Sequence, residues 1–266
     1  MNAAVRTTPA LAGKRLLITG IVNRESIAYA TAERAQQAGA ELLLTAFPRD
    51  RALTEAAAAA LPRSAEIVDA DLTSREDLDN LTERARAGFG AIDGALHAIA
   101  FAPRDALGGD FLEASPEGVN LAFQTSAYSY ASLARLLRDL APPEGGSLVG
   151  LDFDAGGAWP VYNWMGVCKA ALNSVSQYVA RDLGQRRIRS NLIAAGPLNT
   201  RAAGGIPDFQ KLLDAWEHGS PLAWDPDDPG PVADTACFLL SEDARAITGE
   251  RIHVDAGYNA MAAALR

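Results

Sequence analysis

The chain has 266 residues, of which 48% are hydrophobic and 21% are charged, and its formal net charge is −9. This composition is ordinary for a globular protein with a sizeable core, and so acidic a chain argues against a nucleic-acid partner, which needs a basic face. Two cysteines, Cys168 and Cys237, do not make a disulfide framework or a zinc site, so we expect reduced thiols and no metal.

The N-terminal stretch, residues 1–12, lacks the apolar centre of a signal peptide, and we expect a flexible tail there. Apolar runs elsewhere stay below the ~18 residues of a membrane span. We therefore expect a cytoplasmic protein with no membrane span.

Apolar runs alternate with helical patterns along the whole chain. Strands are predicted at residues 15–19, 41–47, 66–70, 92–98, 146–152, 189–195 and 250–254. Helices are predicted at residues 26–38, before 61, at 74–89, 126–140, from Tyr162 onward and at 232–240. Such alternation predicts an α/β fold with a doubly wound parallel sheet, Rossmann-like, and no shift in composition divides 1–266 into more than a single domain.

A doubly wound sheet binds ligands at the carboxyl ends of its strands. Gly20 and Ile21 follow the first strand, and Ser26 and Ile27 open the next helix, whose N-terminal amides suit a pyrophosphate. Only one glycine of the three-glycine dinucleotide fingerprint is present. The loop alone is therefore a weak signal for a dinucleotide.

Phe47 stands at the end of the second strand, where an NAD site usually has an acidic residue. Its ring is suited either to stacking on adenine or to closing the core. Arg49 is suited to a 2′-phosphate or is simply solvated. These two residues leave the choice between NADH and NADPH open.

The third and fourth strands end in further candidates. Asp71 and Leu72 follow the third, and the carboxylate either accepts from an adenine amino group or caps the next helix. Ile99, Ala100 and Ala102 follow the fourth and are small or apolar, which suits backbone lying along a ribose, or mere packing.

The fifth and sixth strands end in Phe153 and in the segment with Leu198 and Thr200. Phe153 cannot transfer a proton, so its expected role is shape and exclusion of water. Backbone amides and the Thr200 hydroxyl are suited to a carboxamide and a phosphate. All six strand ends thus fit one nucleotide site.

Tyr162 and Lys169 are seven residues apart, which on a helix places them on nearly the same face and about 10.5 Å apart along the axis. A tyrosine can donate a hydrogen bond to an oxyanion, and a nearby ammonium can lower its pKa and hold cofactor hydroxyls. The alternative is a packed ring and a solvated charge. The six strand ends favour the catalytic interpretation.

The chain resembles the NADH-dependent enoyl-acyl-carrier-protein reductases of the short-chain dehydrogenase/reductase superfamily, in particular their actinobacterial branch, over about residues 11 to 260. Its most specific feature is the six residues between Tyr162 and Lys169, where most of the superfamily has three. The other matching segments are Thr19–Ile21, Ser26–Ala28, Asp71, His97–Pro103, Ser126–Tyr130, Asp152–Phe153, Arg189–Asn191 and Ala195–Pro197.

The resemblance implies reduction of the trans-2 double bond of enoyl thioesters, carried on acyl carrier protein or coenzyme A, in fatty-acid biosynthesis. It implies NADH rather than NADPH, and a homotetramer. Tyr162 would bind the thioester oxygen, Lys169 the nicotinamide ribose, and Phe153 would act only sterically. The expected substrate contacts are Ala102, Phe153 and Tyr162. The expected cofactor contacts are Gly20, Ile21, Ser26, Ile27, Phe47, Asp71, Leu72, Ile99, Ala100, Lys169, Leu198 and Thr200.

Three further expectations follow. Ala100 and Ala256 replace glycines that are usual in the family, which would alter packing near the nicotinamide or at subunit contacts. Residues 200–230 match the substrate-covering segment, which is shorter than in long-chain mycobacterial relatives and suggests short to medium acyl chains. Arg201 and Lys211 are candidates for docking an acidic carrier. The alternatives are a carbonyl or alcohol oxidoreductase of the same superfamily and a non-catalytic nucleotide-binding protein.

Overall fold

Seven strands form one parallel sheet in the computed structural model, which describes residues 10–262. The strand order is β3-β2-β1-β4-β5-β6-β7, and every neighbouring pair is parallel. The strands are β1 (Arg15–Ile18), β2 (Glu41–Ala46), β3 (Glu66–Asp69), β4 (Gly94–His97), β5 (Gly146–Asp152), β6 (Ile188–Ala195) and β7 (Arg251–Val254). The order reverses between β1 and β4, as in a doubly wound sheet.

Helices cover both faces of the sheet. They are α1 (Ile27–Gln37), α2 (Arg51–Ala58), α3 (Arg75–Phe89), α4 (Arg104–Leu107), α5 (Pro116–Phe123), α6 (Ser129–Leu140), α7 (Asn163–Leu183), α8 (Gln210–Gly219) and α9 (Gly230–Leu240). Buried residues of α1, α2 and α9 pack on one face, and those of α3, α6 and α7 on the other. The predicted fold class is confirmed.

Successive strand residues enter opposite cores because side chains alternate across a strand. In β1, Leu16 and Ile18 join the core beneath α1 and α9, whereas Leu17 joins the core beneath α3 and α6. In β2, Leu43 and Leu44 divide in the same way. The continuous apolar runs of the sequence therefore reflect a sheet that is buried on both sides.

Strand boundaries agree with the predicted ones to within two residues, but the region before α6 differs. The sequence predicted one helix over 126–140. The structure has α4 and α5 first, then a π-helical turn, Gln124–Tyr128, which leads into α6. This turn inserts an extra residue into the helical repeat, so a pattern based on 3.6 residues per turn does not detect it.

The expectation of a flexible tail over 1–12 is wrong at Leu11. Leu11 is fully buried, and its backbone N–H donates to the Ala38 carbonyl oxygen at 3.1 Å. Residues 1–9 lie outside the described residues. Within 10–262, no helix is long and apolar enough to cross a membrane, and no three His, Cys, Asp or Glu side chains cluster as metal ligands. The single domain over 1–266 stays a prediction.

Candidate active site

Gly20 lies at the point where the strand order reverses, directly after β1. Its φ is +81°, and a Cβ atom here would lie 2.0 Å from the Ala98 carbonyl oxygen. The Thr19 hydroxyl holds the two strand ends together: it donates to the Leu96 carbonyl oxygen at 2.9 Å and accepts from the Ala98 N–H at 3.0 Å. Only glycine fits this close backbone approach, so Gly20 shapes the crevice in which such sheets bind ligands.

Ser26 caps α1 at the same crevice. Its hydroxyl accepts from the Tyr29 N–H at 3.1 Å and donates to the Asn23 carbonyl oxygen at 2.8 Å. Ile21 is buried, and Ile27 is partly buried against the same core, so both offer backbone rather than side chain to a ligand. The helix N-terminus faces the crevice with its unpaired amides, as a pyrophosphate site requires.

Phe47 projects from the end of β2 and is 45% exposed, so it does not close the core. The Arg49 guanidinium carbon lies 5.1 Å from the centre of the Phe47 ring, and this guanidinium also donates to Asp50 at 3.3 Å. The interpretation in which Phe47 closes the core is therefore wrong, and the structure supports an exposed ring. The Arg49 guanidinium therefore already has two partners, the Phe47 ring and Asp50.

Asp71 follows β3 and does not cap α3. Its carboxylate accepts from the Thr73 N–H and hydroxyl at 2.9 and 2.7 Å, whereas Ser74 is the cap and accepts from the Asp77 N–H at 3.3 Å. Leu72 is buried in the core beneath α3. The helix-cap alternative for Asp71 is therefore wrong, although its carboxylate is already used in a local turn.

The segment after β4 is held by a residue that the sequence did not single out for a role. The Ser126 hydroxyl, in the π-helical turn, both accepts from the Phe101 N–H and donates to the Phe101 carbonyl oxygen, each at 3.0 Å. Ile99 packs on the core beneath α6, and Ala102 is buried beside Tyr162. Ala100 is exposed. A serine placed at a π-helical turn is the available signal, since such turns are frequent at functional sites.

Tyr162 is the N-cap of α7, directly before its first residue, and its carbonyl oxygen accepts a helical hydrogen bond from the Gly166 N–H at 3.3 Å. The residues on either side have left-handed backbone: φ is +61° at Val161 and +36° at Asn163. The Asn163 amide donates to the Gly109 carbonyl oxygen at 3.1 Å, which ties this turn to the segment after α4. A β-branched residue at positive φ is strained, and such strain often marks functional sites.

The Tyr162 ring lies in a cluster of aromatic side chains, which we call the aromatic cluster. Its ring centroid is 5.0 Å from that of Phe153, and Phe153 is 5.3 Å from Trp159 and 5.6 Å from Trp216. Tyr258 stacks on Trp216 at 4.0 Å. Trp164 and Trp224 pack against the same cluster from its edges. The predicted steric role of Phe153 fits its place against the phenol.

Burial raises the pKa of the Tyr162 phenol, and the nearby Asp152 and Cys168 add to this effect. The net shift is therefore upward, and it is not the lowering that a neighbouring ammonium can produce. Among the described residues, the Tyr162 hydroxyl makes no hydrogen bond. The phenol is therefore a neutral group at physiological pH and acts as a hydrogen-bond donor rather than as a phenolate.

Lys169 is buried on α7 and points at the carboxyl end of β5. Its ammonium donates to the Leu151 carbonyl oxygen at 2.8 Å, and burial lowers its pKa while the neighbouring Asp152 raises it. An ammonium has three N–H donors, so two remain for a ligand. The packed-ring and solvated-charge alternative is wrong for Lys169, because this ammonium is not at the surface.

The chain after β6 contributes Leu198 to the core beneath α1 and α9, and it contributes residues of α8 to the aromatic cluster. Leu198 is buried, and the Thr200 hydroxyl accepts from the Ala203 N–H at 3.3 Å. From α8, Leu212 and Trp216 are buried in the same cluster as Tyr162. The predicted substrate-covering segment therefore lies against the proposed catalytic tyrosine.

Comparison with known proteins identifies the family to which the chain is similar. The family model described as enoyl-(acyl carrier protein) reductase matches residues 20–259. The chain is similar to the NADH-dependent enoyl-acyl-carrier-protein reductase of Mycolicibacterium smegmatis, with 43% identity over 94% of this chain and 97% of the relative. The chain is also similar to the protein of the same name from Mycobacterium avium, with 41% identity over 93% of this chain and 96% of the relative. A relative from Staphylococcus aureus, which is named as NADPH-dependent, is 40% identical over 94% of this chain and 98% of the relative.

The family model spans β2 to β7, the Tyr162 turn and the segment that covers it. The chain belongs to the enoyl-(acyl carrier protein) reductase family.

Proposed function

We propose that this protein reduces the trans-2 double bond of enoyl thioesters with NADH, as a step of fatty-acid biosynthesis. The observation that carries the proposal is the Tyr162 phenol, which lies within an apolar aromatic cluster at the same sheet edge as the Lys169 ammonium. Family membership gives this pair its reaction class.

The residues at the sheet edge fit a dinucleotide. The glycine at the strand reversal and the α1 N-terminus suit the pyrophosphate, the Phe47 ring suits adenine, and the two free donors of Lys169 suit the ribose hydroxyls. When bound, NADH supplies the hydride. The remaining expected contacts border the same edge and stay predictions; they are Asp71, Leu72, Ile99, Ala100, Leu198 and Thr200.

Tyr162 would stabilise the enolate that forms when the β-carbon is reduced. Negative charge then develops on the thioester oxygen, two carbons from the reacting carbon, and a neutral phenol in an apolar site is a strong donor to it. Because its pKa is raised, Tyr162 stays protonated over the working range of pH. The aromatic cluster excludes water, which strengthens this hydrogen bond.

The coenzyme is proposed to be NADH. Relatives of nearly equal identity carry both names, so identity alone does not decide. Arg49, the candidate for a 2′-phosphate, is held by the Phe47 ring and by Asp50, and a phosphate would compete with both contacts. Parallel calorimetric titrations with NADH and NADPH test this; tighter binding of NADPH would overturn it.

Short to medium acyl chains are the proposed substrates. Trp159 and Tyr258 pack against Trp216, so bulky rings fill the space beside the tyrosine. A long chain would have to displace them. Turnover across a chain-length series checks this, and a clear preference beyond about sixteen carbons would contradict it.

The test of the reaction class is NADH oxidation with crotonyl coenzyme A against a β-ketoacyl thioester. The proposal expects turnover of the first alone. Turnover of the ketone would favour a carbonyl reductase of the superfamily. NADH binding with no turnover of either would favour a nucleotide-binding protein.

The assembly and location belong to the same proposal. Large apolar side chains are exposed on α5, on the π-helical turn and on α7, namely Leu121, Tyr128, Val167 and Tyr178, which supports a homotetramer. Light scattering after gel filtration measures its mass.

Both cysteines are unpaired, in keeping with a cytoplasmic location. For carrier docking, Arg201 is the better candidate, since Lys211 pairs with Asp208 at 2.8 Å.

A further inference from the structure

Asp152, the last residue of β5, is a buried carboxylate for which the reaction has no direct use. Its side chain has 0% exposure, no side chain of the described residues donates a hydrogen bond to either oxygen, and the backbone N–H of Phe153 is the polar group that acts on the carboxylate at close range. A buried charge without partners is costly, and native proteins contain few of them. Its presence here calls for a physical explanation.

The explanation lies in what surrounds it. Lys169 donates to the carbonyl oxygen of Leu151, the residue directly before Asp152 on β5, so the ammonium sits beside the carboxylate without forming an ion pair. From β7, the Arg251 guanidinium approaches to 4.0 Å but is committed to Asp154 at 2.8 Å. The charge on Lys169 is therefore the one that Asp152 chiefly offsets.

The register of the sheet makes this arrangement possible. Asp152 pairs with Ala194 of β6, and Ala194 pairs with His253 of β7. The small alanine leaves room between the flanking strands for charged side chains on the same face. The titratable and charged groups that face Asp152 are Tyr130 from α6, Tyr162 and Lys169 from the N-cap and body of α7, Asp154 from the following loop, and Arg251 and His253 from β7.

We propose that Asp152 is a positioning residue that keeps the buried Lys169 side chain in its charged, ribose-binding form. The inference rests on the proposed function, in which Lys169 binds the nicotinamide ribose. A buried ammonium loses its hydration, and a nearby negative charge compensates for part of that loss. Without the carboxylate, Lys169 would release its proton at a lower pH and keep fewer donors for the coenzyme.

The direction of the electrostatic effect agrees with this role. Burial lowers the pKa of Lys169, and Asp152 opposes that change. Burial raises the pKa of Asp152 to about 6, so its carboxylate is ionised at neutral and alkaline pH. The compensation is therefore present in the range in which Lys169 would otherwise begin to lose its proton.

The test is the pH dependence of NADH affinity, measured by calorimetry, for the wild type and for D152N, D152E and D154N. D152N should move the alkaline loss of affinity down by about one pH unit or more, which is about a tenfold weaker affinity at a pH within that range. D152E, which keeps the charge, should restore the wild-type profile. D154N removes an equal charge that faces Arg251 and should leave the profile in place.

An unshifted profile in D152N would overturn the inference, because a purely structural role lowers affinity equally at every pH. If D152N does not fold, D152S removes the same charge and carries the same expectation. Crotonyl coenzyme A turnover by the wild type is measured separately. Its absence would refute the proposed function, while the binding profiles would still decide the role of Asp152.

Discussion

Tyr162 caps the helix that carries Lys169, and the two side chains are not joined by a hydrogen bond in the described structure. The ammonium is held by the Leu151 carbonyl oxygen, and the phenol is held by ring contacts with Phe153. The pair is thus divided between two tasks. In the proposed function, Lys169 binds the coenzyme ribose and Tyr162 binds the substrate oxygen.

Replacing Tyr162 by phenylalanine should remove the hydrogen bond to the developing oxyanion while keeping the ring. We expect kcat for crotonyl coenzyme A to fall about 10²–10³-fold, with NADH affinity unchanged. Tyr178, which is exposed on the same helix, provides the control: Y178F should behave as the wild type. Equal activity of Y162F and Y178F in a steady-state assay would remove Tyr162 from the mechanism.

Gly20→Ala should disrupt the crevice at the reversal of strand order. The new Cβ atom would meet the Ala98 carbonyl oxygen, and the positive φ adds strain, so we expect a loss of about 3 kcal/mol or more in the free energy of unfolding. Gly13 also has positive φ (+72°) but has open space, so G13A should lose only about 1–2 kcal/mol. Urea denaturation of both variants measures the difference. Comparable losses would show that backbone strain alone matters.

Trp159→Ala should lengthen the acyl chains that the site accepts. Space for two more methylene groups is worth about 1.6 kcal/mol, so the ratio of kcat/KM for long to short enoyl thioesters should rise roughly tenfold. Trp164 packs at the edge of the aromatic cluster, where its ring stacks on Phe111 at 4.8 Å, and it has no ring contact with Phe153 or Trp216 in the described structure, so W164A is the matched control. A chain-length profile that responds equally to both variants would rule out a specific role for Trp159.

Asp152→Asn should stabilise the folded protein at neutral pH. The folded-state pKa of Asp152, about 6, lies above its ordinary value of 3.8, so the folded carboxylate destabilises the protein as pH rises from about 4 to 6 and fully above that. We expect D152N to gain up to about 3 kcal/mol in the free energy of unfolding at pH 7, and nothing below pH 4. Denaturation at pH 3.5 and 7 measures it; a gain that is the same at both pH values would contradict the titration of Asp152.

The strands were predictable because buried apolar runs between turn residues leave few alternatives. The first core strand, for example, consists of Leu16, Leu17 and Ile18 followed by Gly20, and this pattern by itself locates both the strand and the ligand edge. Phe47, Phe153 and Lys169 were placed at that edge for the same reason. Each of these residues stands just after a predicted strand or inside a predicted helix, and hydrophobic periodicity locates both kinds of element.

The remaining features depend on contacts between residues distant in sequence. Ser126 matters because its hydroxyl meets Phe101, twenty-five residues away, and no local pattern predicts that pair. The groups that face Asp152 come from α6, α7, β7 and the loop after β5. The sequence predicts a helix from Tyr162 onward, and α7 begins one residue later; the positive φ values at the residues on either side of Tyr162 leave no trace in the periodicity.

The four tryptophans of the chain, Trp159, Trp164, Trp216 and Trp224, all lie in or against the aromatic cluster. Ultraviolet light absorbed by indole is therefore re-emitted from one place in the molecule, beside Tyr162. Reduced nicotinamide absorbs in the range in which indole emits, and an acyl chain that enters would change the polarity around the same rings. The unlabelled protein thus contains its own optical reporter of both binding events.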